Sequence, residues 1–175
     1  MSLRLMACTL AALSWAVAPI TAVAKAIFYS PLGAIAVVPS DRVDARVTVE
    51  PHCCPSTAIV VRAAETVEEN ELQWVLLGLD VPATGEIKRV TVCYAIDAAT
   101  PGTTYISQTR LTEMRRPDTA TVRLDDPTDR TDPGPACYNV ETGFRPRGAV
   151  SLHLKIVIGD PSDQITIGMI RVRLG

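Results

Sequence analysis

The sequence has few aromatic residues and few histidines. Phe, Trp and Tyr together make up 5% of the 175 residues, and histidine occurs only as His52 and His153. Histidine is the side chain whose ordinary pKa suits proton transfer near neutral pH. The chain also lacks Gly-x-Ser-x-Gly, His-Glu-x-x-His and a glycine-rich phosphate loop. Because no common catalytic signature is present, we expect a protein that is not an enzyme and that needs no cofactor.

An excess of basic residues is missing as well. Lys and Arg number 17 against 19 for Asp and Glu, which gives a formal net charge of -2. Binding to nucleic-acid phosphates through counterion release requires a concentrated basic surface. The composition therefore predicts no nucleic-acid partner.

The first 24 residues have the layout of a secretory signal peptide. Arg4 precedes an uncharged apolar run over Leu5–Val17, Pro19 interrupts it, and Ala-Val-Ala ends at Ala24. We favour cleavage after Ala24 over two alternatives, a retained membrane anchor and a lipid anchor at Cys8. Residues 25–175 would then form one domain without a membrane span, and the protein would be secreted, periplasmic or at the cell surface.

Residues 25–175 read as short β-type runs separated by Pro, Gly and Asp, with almost no helical periodicity. In "EIKRVTVCYAI" and "AVSLHLKIVIG" apolar and polar residues alternate, which predicts strands with one wet face. In "TATVRL" the same alternation places Ala120, Val122 and Leu124 inward. Counting the weaker runs, we expect an all-β antiparallel β-sandwich of jelly-roll type with about nine strands and little or no helix.

A long loop is predicted at 125–148, where four aspartates and four prolines occur. Carboxylate oxygens are the ligands that calcium prefers, so a calcium site is one reading of this segment. The alternative is that aspartate and proline only shape turns. The candidate calcium ligands are Asp125, Asp126, Asp129 and Asp132.

Three aromatic residues are candidates for a contact surface because they fall in loops or at strand ends. Trp74 and Tyr94, in contrast, lie in strongly apolar runs that predict core positions. The alternative for the candidates is burial of the ring with the hydroxyl hydrogen-bonded. The candidates are Tyr105, Tyr138 and Phe144.

Four cysteines remain once the predicted signal is removed, and an even number in an exported chain predicts disulfides. Adjacent residues of an extended strand point to opposite faces. We therefore expect Cys53 and Cys54 to pair separately with Cys93 and Cys137, in an order that the sequence leaves open. The alternatives are a Cys53–Cys54 bond together with Cys93–Cys137, or thiolates that bind a metal with His52.

These observations predict an exported, non-catalytic binding or envelope-associated β-sandwich protein whose ligand is unknown. A protein or carbohydrate surface is its expected partner. Two alternatives stay open: a secreted hydrolase with carboxylates on its loops, and a calcium-dependent carbohydrate- or protein-binding module.

Overall fold

The computed structural model describes residues 25–38, 46–53 and 56–175. These residues contain eleven strands and a short 3-10 turn, Pro31–Gly33, and no helix among them could cross a membrane. The predicted signal at 1–24 and Cys54 lie outside the described residues. The strands are β1 Lys25–Tyr29, β2 Ile35–Val37, β3 Val47–Pro51, β4 Ile59–Ala63, β5 Trp74–Leu79, β6 Ile87–Asp97, β7 Tyr105–Arg116, β8 Thr119–Asp126, β9 Ala136–Phe144, β10 Ala149–Val157 and β11 Gln164–Leu174.

The strands form two antiparallel sheets. The first sheet has the order β3-β4-β11-β6-β9, with β1 also paired to β11, and the second has the order β2-β5-β10-β7-β8. From β4 to β11 the chain crosses to the other sheet at every connection except the β7–β8 hairpin. This is the connectivity of an eight-stranded jelly roll. The predicted fold class is confirmed.

The core lies between the two sheets and is built by alternation along the strands. Val90, Val92 and Tyr94 of β6 are buried, and so is the matching set on β10, whose polar neighbours face outward. Residues such as Ile156 and Ile165 have no exposed surface. Each fully buried aliphatic side chain of this kind stabilises the fold by about 1.5–3 kcal/mol.

Strand β8 is the exception to the predicted alternation. Leu124 pairs with Leu111 and faces inward, but the register then shifts, so that Val122 pairs with the outward-facing Thr112. Because of this one-residue bulge at Arg123, the residues before it have the opposite orientation to the one that simple alternation from Leu124 predicts. The prediction that Ala120 and Val122 point inward was wrong: both are exposed, Val122 to 50%.

The Asp/Pro segment forms a shorter loop than predicted. Asp125 and Asp126 end β8, and β9 begins at Ala136, so only residues 127–135 connect the two strands. The loop ends in the cis Gly134–Pro135 bond. Gly134 has a φ of 78°, and a Cβ there would lie 2.8 Å from the backbone oxygen of Tyr94. Both constraints require glycine at this position.

A disulfide joins Cys93 to Cys137. The two residues lie directly opposite each other on β6 and β9, with their Cα atoms 4.0 Å apart. The preferred prediction, in which Cys53 and Cys54 bond to these two cysteines, was therefore wrong. The register decides the outcome, because the inward positions of Tyr94 and Tyr138 place the preceding cysteines together on the outer face.

Candidate functional site

The outer face of the second sheet carries a continuous set of polar side chains, which we call the polar face. It consists of the outward-facing residues of β5, β10, β7 and β8, aligned in three rows across the strands. Paired residues of neighbouring strands share a face, so the members of a row are neighbours. The rows are Trp74, Lys155 and Gln108; then Leu76, His153, Arg110 and Asp125; then Gly78, Ser151, Thr112 and Val122.

Arg110 is at the centre of the polar face. Its guanidinium donates two hydrogen bonds of 3.1 Å to Asp125, and its carbon Cζ lies 4.9 Å from the centre of the Trp74 ring. Gln108 also donates to Asp125. Burial alone would raise the pKa of Asp125, but the hydrogen bonds from Arg110 and Gln108 outweigh burial and lower this pKa. The group is thus a fixed array of charged donors and acceptors.

His153 forms a second hydrogen-bonded group beside Arg110. Its Nε2 atom lies 2.8 Å from Ser151 Oγ and 2.8 Å from Thr112 Oγ1, and the two hydroxyls are 2.8 Å apart. Burial and the nearby charge of Arg110 lower the pKa of His153, which favours the neutral imidazole. Since each hydroxyl can donate or accept a hydrogen bond, the group can bind a ligand that offers either donors or acceptors.

The contact between Ser151 and His153 is within the distance range of a nucleophile and its base. Such a pair needs a third group that orients the imidazole, usually a carboxylate. Within residues 25–38, 46–53 and 56–175, no carboxylate is hydrogen-bonded to His153.

Trp74 is a buried component of the polar face. It faces outward, opposite Lys155, yet only 6% of its surface is exposed. Arg110 lies over its ring, and His153 contacts it edge-on with ring centres 6.2 Å apart. The indole cannot serve as a flat stacking platform, so it supports the polar side chains instead.

The four aspartates predicted as calcium ligands are not brought together. Asp125 pairs with Arg110, while Asp126 pairs with Arg130 at 2.5 Å and accepts hydrogen bonds from Thr128. Asp132 accepts from the backbone N–H of Gly134 at 2.8 Å. In the described part of the chain, no three metal-ligating side chains converge. The geometry matches the turn-forming alternative, and calcium binding stays an untested prediction.

The Asp/Pro loop borders a shallow polar cleft of about 280 Å³. Asp129 and Asp132 line it together with Tyr94, Arg130 and Tyr138. Two carboxylates therefore open into one depression, which is the minimum that a glycoside hydrolase needs. This cleft lies at the end of the β6–β9 ladder and is separate from the polar face.

The three aromatic residues predicted as a contact surface lie apart. Tyr138 is buried, its hydroxyl is 2.7 Å from Thr109 Oγ1, and Arg130 lies over its ring. The alternative of a buried ring with a satisfied hydroxyl is thus correct for Tyr138. Tyr105 and Phe144 are partly exposed but belong to different sheets, β7 and β9. No common surface is formed.

Sequence reasoning missed the polar face, although part of its signal was present. Alternation along β7 places Gln108, Arg110 and Thr112 on one face, as it places Ser151 and His153 on one face of β10. What the pattern did not contain is the pairing of β10 with β7 and of β7 with β8. Only that pairing brings these side chains together.

Comparisons with known proteins add little to the geometry. No family model matches the chain, and no curated protein does. Among solved structures, a low-affinity xylan-binding module from Roseburia intestinalis shares 11% identity over 86% of this chain and 96% of its own, with a TM-score of 0.46. A module bound to β-1,4-galactotriose shares 9% over 80% and 88%, with a TM-score of 0.45. The cleaved adhesin domain of Lys-gingipain shares 8% over 85% and 99%, with a TM-score of 0.46. At these identities and scores the likenesses carry no argument about function.

Proposed function

We propose that this protein is an exported, non-catalytic binding module and that its polar face binds a carbohydrate. The observation that carries the proposal is the hydrogen-bonded array of Gln108, Arg110 and Asp125 beside His153 and Ser151. Sugar hydroxyls both donate and accept, and this array offers donors and acceptors at fixed positions on a flat sheet.

Export is part of this proposal. The layout of residues 1–24 supports it, and so does the Cys93–Cys137 bond, because disulfides persist mainly in oxidising compartments.

The ordering of the polar side chains before binding also favours affinity for a ligand, since little rotamer entropy remains to be lost.

The test is binding of the purified protein to soluble xylan, β-1,4-galactan and mixed-linkage β-glucan, measured by affinity electrophoresis and calorimetry. Gln108→Ala removes one donor to Asp125 without touching the core. We expect it to weaken binding about tenfold, which is the usual effect of losing one hydrogen bond to a charged group.

A matched control is available on the outer face of the first sheet. Gln164 donates to Asp97 at 3.3 Å, so Gln164→Ala removes the same type of contact from the opposite side of the molecule. It should leave affinity unchanged within about twofold. Failure to bind any of the three polysaccharides, or an equal loss in the two variants, would refute the proposal.

A second candidate is a secreted hydrolase, and the specific observation in its favour is the cleft that Asp129 and Asp132 share. Release of reducing ends from the same three polysaccharides would reveal it. An activity that Asp129→Asn and Asp132→Asn each abolish would favour the hydrolase over the binding module. If the wild type releases no more reducing ends than a variant with both substitutions, the hydrolase is excluded for these three polysaccharides.

A further inference from the structure

Charged side chains are distributed unevenly between the two ends of the sandwich. One end, which we call the basic end, has six cationic side chains with no carboxylate within 4 Å among the described residues: Lys25, Arg116, Arg145, Arg147, Arg171 and Arg173. Among the described residues, the acidic side chains without an ion pair at this end are Asp80 and Asp118. The opposite end carries acidic loops, which include Glu68, Glu69, Asp129, Asp132 and Asp160. The molecule is therefore strongly dipolar along its strands, although its net charge is small.

The remaining cations of the basic end are matched by carboxylates. Arg89 pairs with Glu141 at 2.5 Å and Lys88 with Glu86 at 2.6 Å. Arg115 and Arg123 share the buried Glu113. The positive potential of this end thus comes from the six cations without a carboxylate partner and from the surplus charge of the Arg115–Arg123–Glu113 group.

The strand register places two of these cations near each other. Leu174, Ile87 and Phe144 lie side by side across β11, β6 and β9. Arg173 precedes this row and Arg145 follows it, so they are about two strand spacings apart across the sheet and two residues apart along it, or about 12 Å. On the same side, Phe28 pairs with Arg171 and is 61% exposed. An exposed apolar ring beside basic side chains is the combination found in segments that bind to an anionic lipid surface.

The sequence places an apolar segment directly before this end. The uncharged stretch from Leu5 to Ala24 precedes Lys25, which is the first residue of β1. We propose that the basic end docks on the anionic phospholipid surface of the membrane across which the chain is exported. The polar face and the acidic loops then remain free on the side away from the lipid. This docking rests on the proposed export but not on the proposed carbohydrate site.

The test is sedimentation of the protein with vesicles, in the N-terminal form that the host produces and that mass spectrometry identifies. The vesicles contain phosphatidylcholine alone or phosphatidylcholine with 30% phosphatidylglycerol. Each cation near an anionic surface contributes about a fivefold factor in binding. Arg145→Gln with Arg173→Gln should therefore weaken the binding that depends on phosphatidylglycerol about 25-fold.

The control is Arg62→Gln with Lys155→Gln, which changes the net charge equally at the other end and should have less than a twofold effect. A retained apolar segment would add binding to both vesicle types and would cancel in the comparison. Equal losses in the two double variants would overturn the proposal, since net charge alone would then act. Binding to soluble heparin but not to phosphatidylglycerol vesicles would also overturn it.

Discussion

The Cys93–Cys137 bond gives the sharpest stability prediction. Replacing both residues with alanine removes a cross-link between positions 44 residues apart. In the chain-entropy treatment, closing a loop of this length restricts the unfolded chain by about 4 kcal/mol at 25 °C. The closed segment contains the whole β7–β8 hairpin of the opposite sheet. The bond therefore constrains the assembly of both layers, and not only the β6–β9 ladder.

The measurement is urea unfolding of the wild type and of the Cys93→Ala, Cys137→Ala variant, followed by the fluorescence of the buried Trp74. We expect the free energy of unfolding to fall by about 4 kcal/mol. Reduction of the wild type should produce a fall of the same size. A change in the compactness of the denatured state would alter the slope of the unfolding free energy against urea concentration. This slope must therefore be measured for both proteins.

A non-covalent pair in the same two strands serves as the control. Thr91 Oγ1 donates to Asn139 Oδ1 at 2.8 Å, directly beside the disulfide. Thr91→Ala should cost only about 1 kcal/mol, the usual net value of one hydrogen bond. The reasoning fails if removal of the disulfide costs no more than this hydrogen bond.

Further predictions concern buried and acidic groups. Burial alone would raise the pKa of Glu113, but hydrogen bonds from two arginines and a backbone N–H lower it to about 2 from an ordinary 4.5. The stability that this carboxylate contributes should therefore be complete above about pH 4.5 and be lost as the pH drops to 2. In acid titrations of the melting temperature, Glu113→Gln should remove this dependence. Tyr138→Phe leaves Thr109 without its buried partner and should cost about 1–3 kcal/mol in urea unfolding, whereas no loss would show that water replaces the hydroxyl. Because Asp126 and Asp132 accept hydrogen bonds within turns, millimolar calcium should leave the melting temperature unchanged. A rise of several degrees would instead support the predicted calcium site.

The alternating apolar pattern predicted the half-buried strands correctly. It failed for strands in which this pattern is short or weak. The nine predicted strands correspond to ten of the eleven observed strands, because one apolar run, residues 26–38, contains both β1 and β2. The turn at Pro31 separates these two strands, which belong to different sheets. Strand β9 was missed, since Tyr138 and Val140 are its only large apolar residues that point fully inward. Both misses arise from short stretches in which the surrounding structure decides the conformation.

The Cys93–Cys137 pairing was only an alternative in the sequence analysis, and the polar face was missed, for a single reason. Each depends on which strands are neighbours, and the apolar pattern within a strand contains no information about its neighbours. A partial signal existed in the repeated Cys-Tyr pair, because Tyr94 and Tyr138 both point inward and meet edge-on with ring centres 5.8 Å apart. Two outward-facing cysteines on different strands can form a disulfide only if the strands are neighbours. The pairing could therefore be predicted only after β9 had been recognised as a strand.

The two outer faces of the sandwich differ in how their polar side chains are satisfied, and this difference bears on function. Between β6 and β9 the outward residues form cross-strand pairs: Cys93 with Cys137, Thr91 with Asn139, and Arg89 with Glu141. Such pairs leave few groups for a ligand. On the polar face the contacts instead branch across strands, so hydroxyls, imidazole and carboxylate retain unused donors or acceptors. A ligand on the polar face therefore gains hydrogen bonds without breaking a pair, whereas between β6 and β9 it would have to break one. This difference supports the proposal that the ligand site lies on the second sheet.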